Sequence, residues 1–167
     1  MQSLIVRIVV VGMMFGSFNC AQAENAVVLE HATTEQDLLK LTNSYFTALK
    51  EKDTATLQRV VLPGSQFTFV YEGESGPVTN TTTREELISS LPYWEAQADE
   101  TLSDPQIFFQ GRIASLWSRY RYFSNGEFSH CGVDTFTFML LADGWVISAV
   151  SWSVEKAENT KLGPDSC

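Results

Sequence analysis

Two dipeptides, Asn125-Gly126 and Asp143-Gly144, constrain this chain more than any other feature in it. Each lies between runs of alternating apolar residues, the pattern of a two-residue β-hairpin turn. Such turns need positive φ at their central residues, which Asn-Gly and Asp-Gly tolerate well. Two in succession impose an antiparallel meander, expected over 113–123, 128–141 and 145–154, with a further strand at 106–110.

Turn length fixes register. Across Asn125-Gly126, Phe123 is expected opposite Phe128, Arg121 opposite His130, Arg119 opposite Gly132, Trp117 opposite Asp134 and Ser115 opposite Phe136. Across Asp143-Gly144, Leu140 is expected opposite Ile147, Phe138 opposite Ala149, Phe136 opposite Ser151 and Asp134 opposite Ser153. Side chains alternate along a strand, so this register gathers one face. Its apolar end holds Ile113, Phe136, Phe138, Leu140, Trp145 and Ile147, and its polar end Trp117, Arg119, Arg121, His130, Asp134 and Ser153. An aromatic floor beside a titratable rim suits a small-molecule pocket. The opposite face, with Leu116, Tyr120, Tyr122, Val146, Val150 and Trp152 among others, is semi-apolar and suits a homodimer interface or a second covered layer. A bulge near Gly132 would exchange the faces on one side of it.

Upstream the period changes. Thr33 or Thr34 can cap a first helix, on which Leu38, Leu41, Tyr45 and Leu49 form one stripe. Asp53 caps a second helix ending at Val61, before Pro63. Residues 66–71 read as a strand, with Phe67, Phe69 and Tyr71 on one face, and 72–82 as a turn-rich loop. Thr83 and Glu86 make a capping box for a third helix, interrupted at Pro92 and followed by Tyr93-Trp94. Helices with one strand among them, then a run of antiparallel strands, give an α+β fold class.

Residues 1–23 read as a secretory signal peptide: Arg7, the apolar run Ile8 to Phe15, then Ala21-Gln22-Ala23. That run is shorter than the roughly 20 apolar residues a bilayer span needs. The expected organisation is a signal peptide over 1–23, a linker over 24–33, one domain over 34–156 and a polar tail over 157–167, exported to a periplasm or secreted. Cys20 raises a lipoprotein alternative, against which Phe18-Asn19 is a poor lipidation sequence. Export permits a disulfide between Cys131 and Cys167, but nothing in their placement favours the pair over two free thiols. The chain has 11 Lys plus Arg against 20 Asp plus Glu, a formal charge of −9. No segment is strongly basic, so neither nucleic acid nor a membrane surface is an expected partner. No zinc spacing, phosphate loop, dinucleotide glycine pattern or Ser-His-Asp motif occurs, and neither a metal nor a cofactor is expected.

His130 and Asp134 are the candidate acid/base residues. His130 has the pKa class of a proton shuttle, although Arg121 or a backbone carbonyl can simply satisfy it. Burial would raise Asp134 and a nearby Arg119 would lower it. Four residues of strand separate the two by roughly 13 Å, too far for a direct dyad. Arg119 could bind a carboxylate, or pair with surface acids. Trp117, Phe136 and Ser153 from the meander, with Tyr45, Tyr71 and Trp94 from the earlier elements, complete the candidate ligand-binding set.

The segments Leu38-Leu39-x-Leu41 through Tyr45-Phe46-x-x-Leu49-x-x-x-Asp53, His130-Cys131-Gly132-Val133-Asp134-x-Phe136 and Asp143-Gly144-Trp145-x-Ile147 resemble the nuclear transport factor 2-like superfamily, also called SnoaL-like or cystatin-like. The resemblance implies a cone-shaped α+β barrel, with helices packed on a curved antiparallel sheet over roughly 34–154. It is poorly informative about activity, since this fold hosts enzymes, binding modules and assembly domains. Two expectations follow. One is an exported domain that binds a small hydrophobic molecule or dimerises. The other is a cofactor-independent isomerase, dehydratase or cyclase using Asp134 or His130.

Overall fold

The computed structural model describes residues 34–156; the expected signal peptide, linker and polar tail lie outside the described residues. The first helix, α1 (Glu35–Glu51), begins at Thr34, whose hydroxyl accepts from the Asp37 amide while the Asp37 carboxylate accepts from the Thr34 amide. It ends at Lys52, in the left-handed conformation at φ 57°. Asp53 then caps α2 (Thr54–Val60). Two strands follow, β1 (Val61–Gly73) and β2 (Gly76–Thr83), then α3 (Arg84–Ser90), whose Thr83/Glu86 capping box is the expected one. A 3₁₀ turn over Leu91–Tyr93 leads into β3 (Ala98–Gln110), β4 (Ile113–Ser124), β5 (Glu127–Leu141) and β6 (Gly144–Lys156).

The α+β class is as expected, with three helices and one curved, unclosed six-stranded sheet, ordered β2-β1-β6-β5-β4-β3, among the described residues. All neighbours are antiparallel except β1 and β6, which run parallel. Leu38 and Tyr45 of α1, Leu57 of α2 and Leu87 of α3 pack on the concave side against Phe67, Leu116, Phe136, Phe138, Ile147 and Val150. Burying side chains of this size contributes about 1.5–3 kcal/mol each.

Three expected element boundaries require correction, and so does the register. The loop expected over 72–82 is largely β2, paired from Gln66↔Thr83 to Gly73↔Gly76. Its Thr-rich stretch lacks apolar alternation but is β-branched, and Thr68 and Thr81 bond across the pair at 3.0 Å. The strand expected at 106–110 begins at Ala98. The second hairpin turns at Ala142-Asp143 rather than Asp143-Gly144, since Leu141 pairs with Gly144.

Register is the consequential correction. Asn125 and Gly126 adopt φ 51° and 83°, and Phe123 faces Phe128 as expected. Tyr122 then faces His130, so Ser129 is an extra residue in β5. From there Tyr120 faces Gly132, Ser118 faces Asp134 and Leu116 faces Phe136. A second extra residue, Ser148 in β6, sits between the Phe138↔Ile147 and Thr137↔Ala149 pairs; beyond it Asp134 faces Trp152. Each bulge turns the strand beyond it over by one residue. Leu116, Tyr120, Tyr122, Val150 and Trp152, expected outside, share the concave face with Asp134. Trp117, Arg119, Arg121 and Ser153 face away from it.

Candidate functional site

Between α1, α3 and the concave side of the sheet lies a cavity of about 450 Å³. Its walls are aromatic: Tyr45 and Phe46 from α1, Phe67 and Phe69 from β1, Trp94 after the 3₁₀ turn, and Trp152 from β6. Tyr45 stacks on Phe67 with ring centroids 5.9 Å apart and meets Phe136 edge-on at 5.7 Å. Phe69 stacks on Trp152 at 5.1 Å. The Lys52 ammonium donates to the Trp94 carbonyl, tying the cavity wall to the end of α1.

Two carboxyl groups, Asp134 of β5 and Glu100 of β3, enter this apolar space. Asp134 is 3% exposed. Its Oδ2 is buried and receives no hydrogen bond from an N–H or hydroxyl group. The Glu100 carboxyl can fill that place only by keeping its proton. Burial pushes Asp134 from 3.8 up to about 6, opposed by its hydrogen bond with Glu100. Burial and the Asp134 charge hold Glu100 well above the usual carboxylate range. The pair thus holds a shared proton, because two adjacent carboxylates cannot both ionise in a medium this apolar.

The surrounding phenols respond to the same two acids. Tyr45 is raised well above its ordinary value by burial, then by the charges of Glu100 and Asp134. Tyr122 is raised by burial and then by Glu100. Tyr120 is raised too, chiefly by burial, and its hydroxyl donates to the Ser153 carbonyl at 2.7 Å. That contact crosses Gly132, where a Cβ would stand 2.1 Å from the Ser153 carbonyl oxygen. Glycine is needed here because two backbones approach.

The structure brings together Asp134, His130, Tyr45, Trp94 and Phe136 from the sequence-derived set. His130 stacks on Tyr122 at 4.7 Å and exchanges a hydrogen bond with the Ser129 hydroxyl at 3.0 Å. Trp117 and Arg119 are placed elsewhere, a correction that follows from the Ser129 bulge. Trp117 is 43% exposed on the outer face, and Arg119 there pairs with Asp104 at 2.6 Å. Ser153 also faces outward, accepting from the Val133 amide at 3.1 Å. Tyr71 lies on the inward face of β1 but outside the cavity lining, stacked on Phe69 at 6.0 Å.

Glu100, Tyr122, Phe46, Phe69 and Trp152 were not among the sequence candidates. Glu100 lies in Asp99-Glu100-Thr101-Leu102-Ser103-Asp104, a polar stretch with no alternation to mark it as strand. Its one available signal was distance from the Asn125-Gly126 turn: extending the meander backwards pairs Glu100 with Tyr122.

Cys131, expected to be a free thiol, is disulfide-bonded, and the chain's other cysteines, Cys20 and Cys167, lie outside the described residues. Among the described residues no helix is long and apolar enough to cross a membrane, and no group of His, Cys, Asp and Glu is arranged to hold a metal ion.

No protein-family model and no curated protein matches the chain. Solved structures do match by fold. An NTF2-like protein from Cytophaga hutchinsonii superposes with a TM-score of 0.60 at 16% identity, over 74% of this chain and 100% of that one. A candidate dehydratase of the NTF2-like family from Streptomyces avermitilis does so at 0.58 and 18%, over 73% and 96%. The β subunit of a candidate aromatic-ring-hydroxylating dioxygenase from Novosphingobium aromaticivorans follows at 0.59 and 11%, over 72% and 88%. The chain has the nuclear transport factor 2-like, cystatin-like fold.

Proposed function

We propose that this chain is a small-molecule-binding domain whose ligand occupies the cavity between α1 and the sheet, with Asp134 accepting a hydrogen bond from it. The observation that carries this reading is the Asp134 Oδ2 atom, buried without an N–H or hydroxyl donor in a space otherwise lined by aromatic rings. The Glu100 carboxyl serves Asp134 as a donor only while it keeps its proton, and a ligand N–H or O–H donor removes that requirement. A volume of about 450 Å³ falls within the ordinary range for small-molecule sites. Native mass spectrometry of protein purified from its own host tests the reading. A small molecule held one-to-one by wild type and lost from Asp134→Asn supports it; retention of the molecule by Asp134→Asn and Phe136→Ala alike contradicts it.

One observation favours a second reading, proton transfer on the bound molecule. Asp134 is raised to about 6, which suits a general base near neutral pH, with Glu100 beside it as a protonated acid. The neighbour described as a candidate dehydratase shares the fold alone and adds no residue to this argument. Solvent deuterium entering a bound carbonyl compound in wild type, and not in Asp134→Asn, distinguishes catalysis from binding.

We further propose that the leader expected over residues 1–23 directs this domain outside the cytoplasm. Cell fractionation tests that placement, with a mature N-terminus at Glu24 the expected result and an uncleaved cytoplasmic chain the contrary one.

A further inference from the structure

We infer that the cavity takes a protonated amine, its ammonium group seated at the Asp134 and Glu100 carboxyls and its apolar frame held among the aromatic walls. The inference rests on the binding reading above and names its ligand class. Three features converge on a cation. Asp134 Oδ2 lacks an N–H or hydroxyl donor, and an ammonium N–H supplies one. The shared proton that now relieves Glu100 and Asp134 occupies the place an ammonium group would take; the ammonium releases that proton to solvent and offsets one of the pair's two charges. Around them stand the rings of Phe46, Phe67, Phe69, Trp94, Tyr122 and Trp152, whose π faces attract cations and repel anions.

Among the described residues no lysine or arginine lines the cavity. Nearby Lys50 pairs with Asp99 at 2.7 Å, and Lys52 is committed to the Trp94 carbonyl. An anionic ligand would meet two acids and the negative faces of the rings. An alcohol would supply a donor but leave the pair holding its proton. A quaternary ammonium would satisfy the rings and leave the Oδ2 atom unmet.

The titratable groups facing the pair are Tyr45 from α1, Tyr120 and Tyr122 from β4, and His130 further along β5. The phenols stay neutral across the physiological range and so contribute no change near neutral pH. A cation binds the ionised pair. Its affinity therefore falls as pH drops through about 6, where Asp134 takes up its proton.

Calorimetry with three compounds on one frame tests the inference: phenylbutylamine, phenylbutanol and phenylbutyrate, each at about pH 7.5 and about pH 5. At the higher pH the amine should bind one-to-one at least about tenfold tighter than the alcohol, with no measurable binding of the carboxylate. The amine should weaken at least about fivefold at the lower pH, the alcohol scarcely. Asp134→Asn and Glu100→Gln should each cost the amine at least about tenfold and cost the alcohol several-fold less. Circular dichroism checks that both variants fold, and Glu100→Gln carries the test if Asp134→Asn does not. Equal affinity for amine and alcohol, or an amine affinity indifferent to both variants, overturns the inference while the binding reading stands. Failure of all three compounds to bind overturns both.

Discussion

Asp134 is the residue at which this fold gives up stability. It is held 3% exposed at the centre of β5, with one oxygen lacking an N–H or hydroxyl partner. Its pKa is raised from 3.8 to about 6 in the folded state, so the native protein binds the proton more tightly than the unfolded chain. Stability is then greatest below about pH 4 as far as this group is concerned, and is lost as pH rises through about 6. The shift corresponds to at most about 3 kcal/mol. A thermal melting series across that window should show the decline, flattened in Asp134→Asn. At about pH 7.5 that variant should be more stable than wild type by about 1–3 kcal/mol, since it removes a buried charge and keeps the shape. A less stable variant would mean that Asp134 is satisfied in the native state. Gly132→Ala, two residues away, should cost at least about 2 kcal/mol by chemical denaturation, because the new Cβ meets the Ser153 carbonyl. Asp134 itself was legible in the sequence as a charged residue within an apolar alternating run. Its partner Glu100 was not, because nothing in Asp99 to Asp104 distinguishes a buried acid from a solvated one.

Helices were read more faithfully than strands, for a physical reason. Capping residues act over three positions, so Thr34, Asp53 and Thr83 announce the starts of α1, α2 and α3 within their own neighbourhoods. A strand is stabilised across the sheet, and its neighbours are distant in sequence. The Asn125-Gly126 turn was legible because its conformation is local. The Ser129 bulge three residues beyond it was not, and that residue decides which side of β4 enters the cavity. The Ser148 bulge is likewise sealed by a tertiary contact, its hydroxyl donating to the Thr137 carbonyl at 3.1 Å. The Asn125-Gly126 hairpin also sets where β3 begins: the Asn125 amide donates to the Gln97 carbonyl, and its side-chain oxygen accepts from the Gln97 amide. Replacing both turn residues with alanine should cost about 2–4 kcal/mol, about 1–2 for each left-handed position. Amide exchange should then accelerate at Gln97 and Ala98 as well as in the hairpin. Exchange confined to the hairpin would mean that β3 is registered by something else.

At the scale of the molecule, the two faces of the sheet have different work. The concave face is covered by helices and holds the cavity. The convex face leaves Ile113 52%, Trp117 43% and Met139 37% exposed, with Phe108 at 65% on the same side. We propose that a second copy of the chain covers this stripe, since adjacent exposed apolar side chains on neighbouring strands mark an association surface. Light scattering should give twice the monomer mass at micromolar concentration, and Ile113→Lys should halve it; a monomeric wild type removes the proposal. The most direct test of the central claim, that the concave cavity is the binding site, uses the chain's four tryptophans as reporters. Trp94 and Trp152 line the cavity, Trp145 packs on the core below it, and Trp117 lies on the opposite face. Indole N–H resonances followed by NMR during titration with phenylbutylamine should shift at Trp94 and Trp152 and stay fixed at Trp117. Shifts concentrated at Trp117, with Trp94 and Trp152 unmoved, would contradict the account.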